Sequence, residues 1–174
     1  MKTKVIATLC VVFVWGLVSI ANAQVVAGSP EDKAFQKIDA ENSVDAKIAL
    51  LVDFEKQFPQ SKSLREAFLQ LVEIYQQKKD GAKVIEFGEK VIKVDPSNLS
   101  ALLAVTYAYS LEGKTTSLDR AISYAQKAID QVAKLKSGPP QQGYTDEQWK
   151  QYIDSTDQQA KGYLNYARSL RGRP

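Results

Sequence analysis

Apolar residues recur at intervals of three and four along the chain from about residue 29 to residue 170. In one such segment the recurring positions are Phe68, Leu71, Val72 and Tyr75. An α-helix has about 3.6 residues per turn, so this spacing puts the apolar side chains on one face of a helix. No segment shows the two-residue alternation of a half-buried strand. The pattern predicts an all-α protein.

Helix-starting and helix-breaking residues divide this pattern into seven helical segments. Ser29 followed by Pro30 has the form of an N-cap and a first helical residue. Further boundaries are predicted at Asn42-Ser43, Pro59, Asp80-Gly81, Pro96 and Gly113. Ser61 or Ser63, and later Ser97 or Asn98, are expected to cap the third and fifth helices. The predicted helices are therefore separated mostly by short turns.

The last two helices have their own start signals. Thr116 or Ser117 is expected to cap the sixth helix. Residues 137–143 contain two glycines and two prolines and predict a longer connection. Thr145 and Gln148 have the spacing of a capping box at the start of the final helix.

Two segments on either side of Pro96 share one pattern. They read FLQLVEIY at residues 68–75 and LLAVTYAY at residues 102–109, with matching first, fourth, fifth and eighth positions. This spacing resembles the tetratricopeptide repeat, a helix-turn-helix unit of about 34 residues with the pattern W-x2-L-G-x2-Y…A-x3-F…P. The resemblance implies a solenoid of antiparallel helix pairs, and a plain helical bundle is the alternative.

The sequence departs from the family pattern in two ways, and each departure predicts a structural feature. Val72 and Val84 stand where the family prefers small residues, and Gly88 stands where it prefers a large one. We expect the two valines to fill the space that the missing side chain at Gly88 leaves. The second unit is three residues longer than the first, and the insertion is expected in the turn at residues 113–119.

The resemblance defines a domain organisation. Residues 24–136 are predicted to form about three helix pairs, and residues 137–144 a linker. Residues 145–174 are predicted to form a capping helix or an incomplete repeat. Aromatic residues are concentrated in and just before this last segment, and we expect them either to pack over the end of the solenoid or to form a partner site beside the missing half repeat: Tyr144, Trp149, Tyr152, Tyr163 and Tyr166.

The first 23 residues have the features of a secretory signal peptide. Lys2 and Lys4 precede an apolar run at residues 5–20, and the small residues of Ala21-Asn22-Ala23 follow it. This predicts cleavage after Ala23 and a periplasmic or secreted protein. An uncleaved anchor is the alternative, and only then would the protein contact a membrane.

The amino-acid composition argues against several binding and catalytic functions. Cleavage would remove two of the 23 basic residues and none of the 20 acidic ones, and the nearly balanced charge that remains argues against nucleic-acid binding. The chain has no histidine, and its one cysteine, Cys10, lies in the signal segment. Disulfides and Cys/His zinc sites are therefore not expected, and the commonest general base and nucleophile are missing. We expect no enzyme activity, metal or cofactor.

The resemblance also implies where a partner binds. In this family the first helices of the pairs line a curved inner surface that holds an extended peptide or a partner helix. The residues on those helices that stacking does not require are candidate groove residues: Leu69, Gln70, Glu73, Gln76, Gln77, Leu103, Tyr107, Ser110 and Leu111. They include no lysine, arginine or asparagine, so a site for a C-terminal carboxylate is not expected. Leu69, Leu103 and Tyr107 either pack against neighbouring repeats or form an exposed apolar groove.

The sequence therefore predicts a non-enzymatic, exported scaffold that binds a protein or peptide in the cell envelope. A different class remains open, namely a structural component that forms homo-oligomers through its incomplete C-terminal repeat. Binding of a small ligand between the helices is a third interpretation.

Cleavage of the signal segment is directly testable. We expect the exported protein to begin at Gln24, because the small residues of positions 21–23 suit a signal peptidase. N-terminal sequencing of protein recovered from the cell envelope measures this. A chain that still begins at Met1 and fractionates with membranes would contradict the prediction and support the anchor.

Overall fold

A computed structural model describes residues 27–172, and the described part consists of α-helices and their connections. The all-α prediction is confirmed. The helices are α1 (Pro30–Ala40), α2 (Val44–Gln57), α3 (Leu64–Gln77), α4 (Gly81–Val94), α5 (Leu99–Glu112), α6 (Thr115–Lys136) and α7 (Asp146–Arg171). None of these helices is both long enough and apolar enough to cross a membrane. The predicted signal segment and its cleavage site after Ala23 lie outside the described residues.

Most helix starts lie where the caps predict them. The hydroxyl of Ser29 accepts a hydrogen bond from the backbone N–H of Asp32 at the start of α1. Asn98 caps α5 in the same way. Thr145 and Gln148 form the predicted capping box, in which each side chain accepts a hydrogen bond from the other residue's backbone N–H. These side chains satisfy backbone donors that have no partner within the helix.

The predicted start of α6 is wrong. The helix begins at Thr115, and Ser117, which was expected to cap it, is buried within its first turn and donates to the carboxylate of Glu112. The extra three residues therefore extend the helix instead of the turn. Three residues are close to one helical turn, so Leu118 stays on the buried face with Ala121.

Consecutive helices pack against one another along the chain, and three of the odd-numbered helices, α3, α5 and α7, also pack in series. α3 contacts α5, and α5 contacts α7. Between α4 and α6, by contrast, no pair of Cα atoms lies within 8 Å. Ion pairs join the start of α6 to the end of α7 (Asp119 with Arg171) and the end of α6 to the middle of α7 (Lys136 with Asp157). α6 and α7 are therefore antiparallel.

The core runs continuously through these contacts. One apolar cluster extends from Ile38 in α1 to Ala108 in α5, and two smaller clusters join α5 to α6 and α7. Ile92 packs against all three clusters and so connects them. α5 lies at the centre and contributes nine buried residues out of its 14.

Gly88 lets α4 and α5 approach closely. A Cβ atom placed on Gly88 would lie 2.4 Å from Cγ1 of Val105 and 3.9 Å from Cγ2 of Val72. The space that Gly88 leaves is therefore filled mainly by Val105 of the next helix, with Val72 beside it. Val84, which the sequence suggested as the second filler, is not among the nearest neighbours.

Replacing Gly88 with alanine should destabilise the protein. Alanine favours a helix by about 1 kcal/mol over glycine, whereas overpacking a core costs about 1–3 kcal/mol. Val105 is β-branched and has one strongly preferred rotamer in a helix, so it cannot easily turn away. We expect Gly88→Ala to lower the free energy of unfolding by up to about 2 kcal/mol in urea denaturation.

Gly162 in α7 provides the matched control, because a Cβ there meets nothing within 4 Å. Gly162→Ala should raise the free energy of unfolding by about 0.4–1 kcal/mol. Adding Val105→Ala to Gly88→Ala should recover part of the loss caused by the close contact. Equal stability of the Gly88→Ala and Gly162→Ala variants would show that the contact is not restrictive.

Candidate functional site

Two continuous depressions lie along α3, α5 and α7, and a third lies between α3 and the connection of α1 to α2. The first, which we call the neutral cleft, has a volume of about 250 Å³ and lies between α3, α5 and α7. α7 provides four of its lining residues at helical spacing. The lining residues are Gln76, Leu99, Ser100, Leu103, Ala104, Tyr107, Tyr152, Thr156, Gln159 and Tyr163.

The second, which we call the apolar depression, has a volume of about 480 Å³. It shares Gln76, Ala104 and Tyr107 with the neutral cleft, so the two are continuous. The start of α4 closes its far side. Its lining residues are Tyr75, Gln76, Lys79, Gly81, Val84, Ala104, Tyr107, Ala108 and Leu111.

The third, which we call the charged depression, has a volume of about 370 Å³ and lies between α3 and the α1–α2 connection. Both signs of charge are present, because it contains three carboxylates and one lysine. Its lining residues are Asp39, Glu41, Asn42, Val44, Lys47, Gln70, Glu73, Ile74 and Gln77.

Most of the predicted groove residues line these depressions. Gln76, Leu103 and Tyr107 come together in the neutral cleft. Leu111, which is 57% exposed, lines the apolar depression. Gln70, Glu73 and Gln77 line the charged depression.

Two predicted groove residues lie elsewhere. Ser110 is buried, and its hydroxyl donates a 2.8 Å hydrogen bond to the carbonyl oxygen of Thr106 in the preceding turn. It therefore belongs to the core and cannot touch a partner. Leu69 is half-buried against the first apolar cluster and lines none of the three depressions.

The sequence did not place α7 in this site. For Tyr152 and Tyr163 the sequence predicts either packing over the end of the helical stack or a separate partner site beside the missing half repeat, and Thr156 and Gln159 give no signal of their own. These four residues follow one face of α7, and that spacing is the feature that could have grouped them. The ring of Tyr163 stacks on that of Tyr107 with centroids 5.3 Å apart, which joins α7 to α5 across the cleft.

A polar cluster on another part of the surface ties three helices together. Oε1 of Glu89 in α4 accepts hydrogen bonds from the hydroxyls of Tyr109 in α5 (2.7 Å) and Tyr124 in α6 (3.0 Å). Nη1 of Arg120 in α6 donates to the same carboxylate oxygen (2.9 Å) and to the hydroxyl of Tyr109 (3.0 Å). The carboxylate is thus held by three donors and connects α4 to α6, whose backbones do not meet.

Burial determines the protonation of this cluster. It raises the pKa of Tyr109 to about 12, with a further contribution from the hydrogen bond to Glu89. Burial and the charge of Glu89 also raise the pKa of Tyr124. Phenols are protonated at neutral pH in any case, so the raised pKa values extend the pH range over which both hydroxyls act as hydrogen-bond donors to Glu89.

The described residues offer no cluster of three or more His, Cys, Asp and Glu side chains arranged to hold a metal ion. Comparison with protein-family models finds none that matches the chain, and comparison with curated proteins finds no relative. The fold and the site define a class, an all-α protein of sequentially packed helices with a grooved face.

The raised pKa of Tyr109 predicts a loss of stability at high pH. An unfolded tyrosine titrates near pH 10, whereas folded Tyr109 keeps its proton to about pH 12. The unfolded chain therefore releases a proton first, and the free energy of unfolding falls as the pH rises through this window. We expect Tyr109→Phe, which lacks the hydroxyl, to lose less stability than the unmodified protein between about pH 9 and pH 11.5.

Tyr166→Phe is the control, because Tyr166 is 41% exposed. Chemical denaturation at both pH values measures the difference for each protein. If Tyr109→Phe and Tyr166→Phe lose stability in parallel with the unmodified protein, burial of Tyr109 does not govern its titration.

Proposed function

We propose that this protein is a non-enzymatic, exported scaffold of tetratricopeptide-like helix pairs that binds a protein or peptide partner in the cell envelope. The observation that carries the proposal is the neutral cleft between α3, α5 and α7 together with the apolar depression that continues from it. Tyr107 and Leu111 remain 44% and 57% exposed there. Exposed tyrosines beside apolar depressions are favourable anchors for a partner, since tyrosine is enriched among residues that dominate binding energy.

The packing order supports a tetratricopeptide-like arrangement. α3, α5 and α7 contact one another in series, whereas the Cα atoms of α4 and α6 stay more than 8 Å apart. This alternation is expected when the first helix of each pair lines the inner surface of a curved stack. Phe68 and Leu102, which begin the two matching segments, are both buried. Under this proposal, α3–α4 and α5–α6 are two successive units, and α7 covers the end.

The sequence of residues 1–23 supports export, as a basic start, an apolar run and small residues before the predicted cleavage site. We therefore place the binding function in the periplasm or outside the cell.

The exposed surface of α7 favours binding of a partner over self-association through an incomplete repeat. A helix that awaits another repeat should present an apolar face, whereas a terminal helix should present a polar one. The exposed residues of α7 that line none of the depressions are mostly polar and include Gln151, Ser155, Gln158, Asn165 and Ser169, with Tyr166 as an aromatic exception. α7 therefore suits the role of a cap.

A pair of charged substitutions tests the binding face. Tyr107→Glu with Leu111→Glu places two carboxylates in exposed positions at the apolar depression, where an apolar partner group could not compensate them. We expect the double variant to lose its partner in crosslinking experiments in the source cell, with affinity lowered at least about 30-fold. Mass spectrometry identifies the crosslinked proteins.

The matched control is Val94→Glu with Tyr166→Glu. These residues are 51% and 41% exposed and line none of the depressions, and the added charge is the same. Both variants should show unchanged helical circular dichroism and similar unfolding temperatures. If the Tyr107/Leu111 variant folds and keeps every partner, the assignment of the binding face is wrong. Sedimentation of the purified protein addresses self-association separately, because a strict monomer contradicts the oligomer alternative.

A further inference from the structure

The neutral cleft has no charged side chain among its ten lining residues. About a quarter of all residues in the chain are charged, so two or three of ten would be expected from composition alone. The neighbouring depressions do contain charge. Lys79 lines the apolar depression, and Asp39, Glu41, Lys47 and Glu73 line the charged one. The absence of charge is therefore specific to the cleft between α3, α5 and α7.

A neutral lining selects against a charged occupant. A charged group that leaves water for this cleft would meet no side chain of opposite charge, and its lost hydration would not be compensated. An uncharged group has a much smaller desolvation cost, and hydrogen bonds to neutral side chains can replace its contacts with water. The charge pattern thus complements an uncharged ligand.

The lining side chains fit a polypeptide. The amides of Gln76 and Gln159 each carry donors and an acceptor, which match the N–H and C=O of a peptide group. One N–H of Gln159 donates to the hydroxyl of Tyr163 (3.1 Å), and a primary amide has a second N–H. Tyr107 and Tyr163 present aromatic rings, and Ser100 adds a hydroxyl. Tyrosine combined with small hydroxyl and amide side chains is also the composition with which antibody loops bind proteins.

The shape favours an extended chain over a compact ligand. The neutral cleft continues through Gln76, Ala104 and Tyr107 into the larger apolar depression, where Val84, Ala108 and Leu111 supply apolar surface. An extended chain places successive residues about 3.3 Å apart, so a few residues reach from one site to the other. The first site then contacts uncharged backbone and polar groups, and the second receives an apolar side chain.

We propose that the neutral cleft binds an uncharged segment of an extended peptide, an apolar side chain of which enters the adjoining apolar depression. This inference rests on the proposed binding function and adds the chemistry of the partner. It assigns recognition to α7, through Gln159 and Tyr163, as well as to α5.

The probe is a library of random peptides displayed on phage and selected on the immobilised purified protein. We expect the enriched peptides to share a core without Asp, Glu, Lys or Arg that includes an aliphatic or aromatic residue. A synthetic peptide with that core should bind with a Kd that changes less than about twofold between low and high salt, because no ion pair is there to be screened.

Adjacent glutamines on α7 provide a matched pair of variants. Gln159 lines the cleft and Gln158 does not, and both are exposed. Gln159→Glu is nearly isosteric and introduces one charge, and its carboxylate can keep the contact with Tyr163 by accepting from that hydroxyl. It should therefore weaken binding of the synthetic peptide at least about tenfold. Gln158→Glu introduces the same charge outside the cleft and should change the affinity less than about twofold.

Each other outcome overturns the inference in a distinguishable way. A charged consensus, or strong weakening of binding by salt, would refute the neutral partner and leave the proposed binding function standing. An uncharged consensus that binds Gln159→Glu normally would place the peptide outside the cleft. Failure to enrich any peptide would overturn the inference alone, because crosslinking of the Tyr107→Glu/Leu111→Glu variant tests the proposed function separately. If neutral N-acetylglucosamine oligomers bound instead, with the same variant pattern, the cleft would be a glycan site.

Discussion

The close packing of α5 against its neighbours is the constraint on which the rest of the structure depends. α5 is surrounded by α3, α4, α6 and α7, and it can approach α4 because Gly88 has no side chain to meet Val105. The buried hydroxyls of Thr106 and Ser110 are satisfied within the helix, since they donate to the carbonyls of Leu102 and Thr106. The hydroxyl of Tyr109 donates instead to Glu89 of α4. A helix with polar groups can therefore lie in the core without unsatisfied donors. The position of α5 fixes the distance between α3 and α7, and that distance is the width of the neutral cleft.

The ion pairs that join α6 to its neighbours involve none of the residues that line the neutral cleft. The Glu89 cluster joins α4, α5 and α6 away from the depressions, and Lys136 joins α6 to α7 through Asp154 and Asp157. Solvent screens exposed ion pairs of this kind, so they orient the helices more than they stabilise them. Because these ion pairs lie outside the neutral cleft, no charged side chain lines the cleft.

The sequence predicted the parts of the fold that local interactions determine. Ser29, Asn98 and Thr145 each bond a backbone N–H within a few residues, so their positions mark helix starts without knowledge of the tertiary structure. The start of α6 could not be found in this way, because Lys114 caps it without a side-chain hydrogen bond. An insertion of three residues can lengthen either a turn or a helix, and the packing of Leu118 decides between them.

The candidate site was predictable only as far as it lies on α3 and α5. A repeat pattern indicates which helices face inward, but it treats each helix as having one buried face. α5 is buried on several faces, so Ser110 is in the core although its spacing from Tyr107 suggests the groove. The contribution of α7 depends on how a helix after a long connection packs back on α5, and no local signal encodes that contact. The Tyr107–Tyr163 stack is the result of this packing.

The aromatic residues at the start of α7 place a fluorescent side chain next to the neutral cleft. Trp149 is buried, and its ring stacks on that of Tyr152 with centroids 5.5 Å apart. Tyr152 in turn lines the neutral cleft. Trp149 is the only tryptophan within residues 27–172. Only the ring of Tyr152 separates its indole from the candidate site. The protein thus contains its own spectroscopic reporter, whose emission is sensitive to what displaces or orders Tyr152.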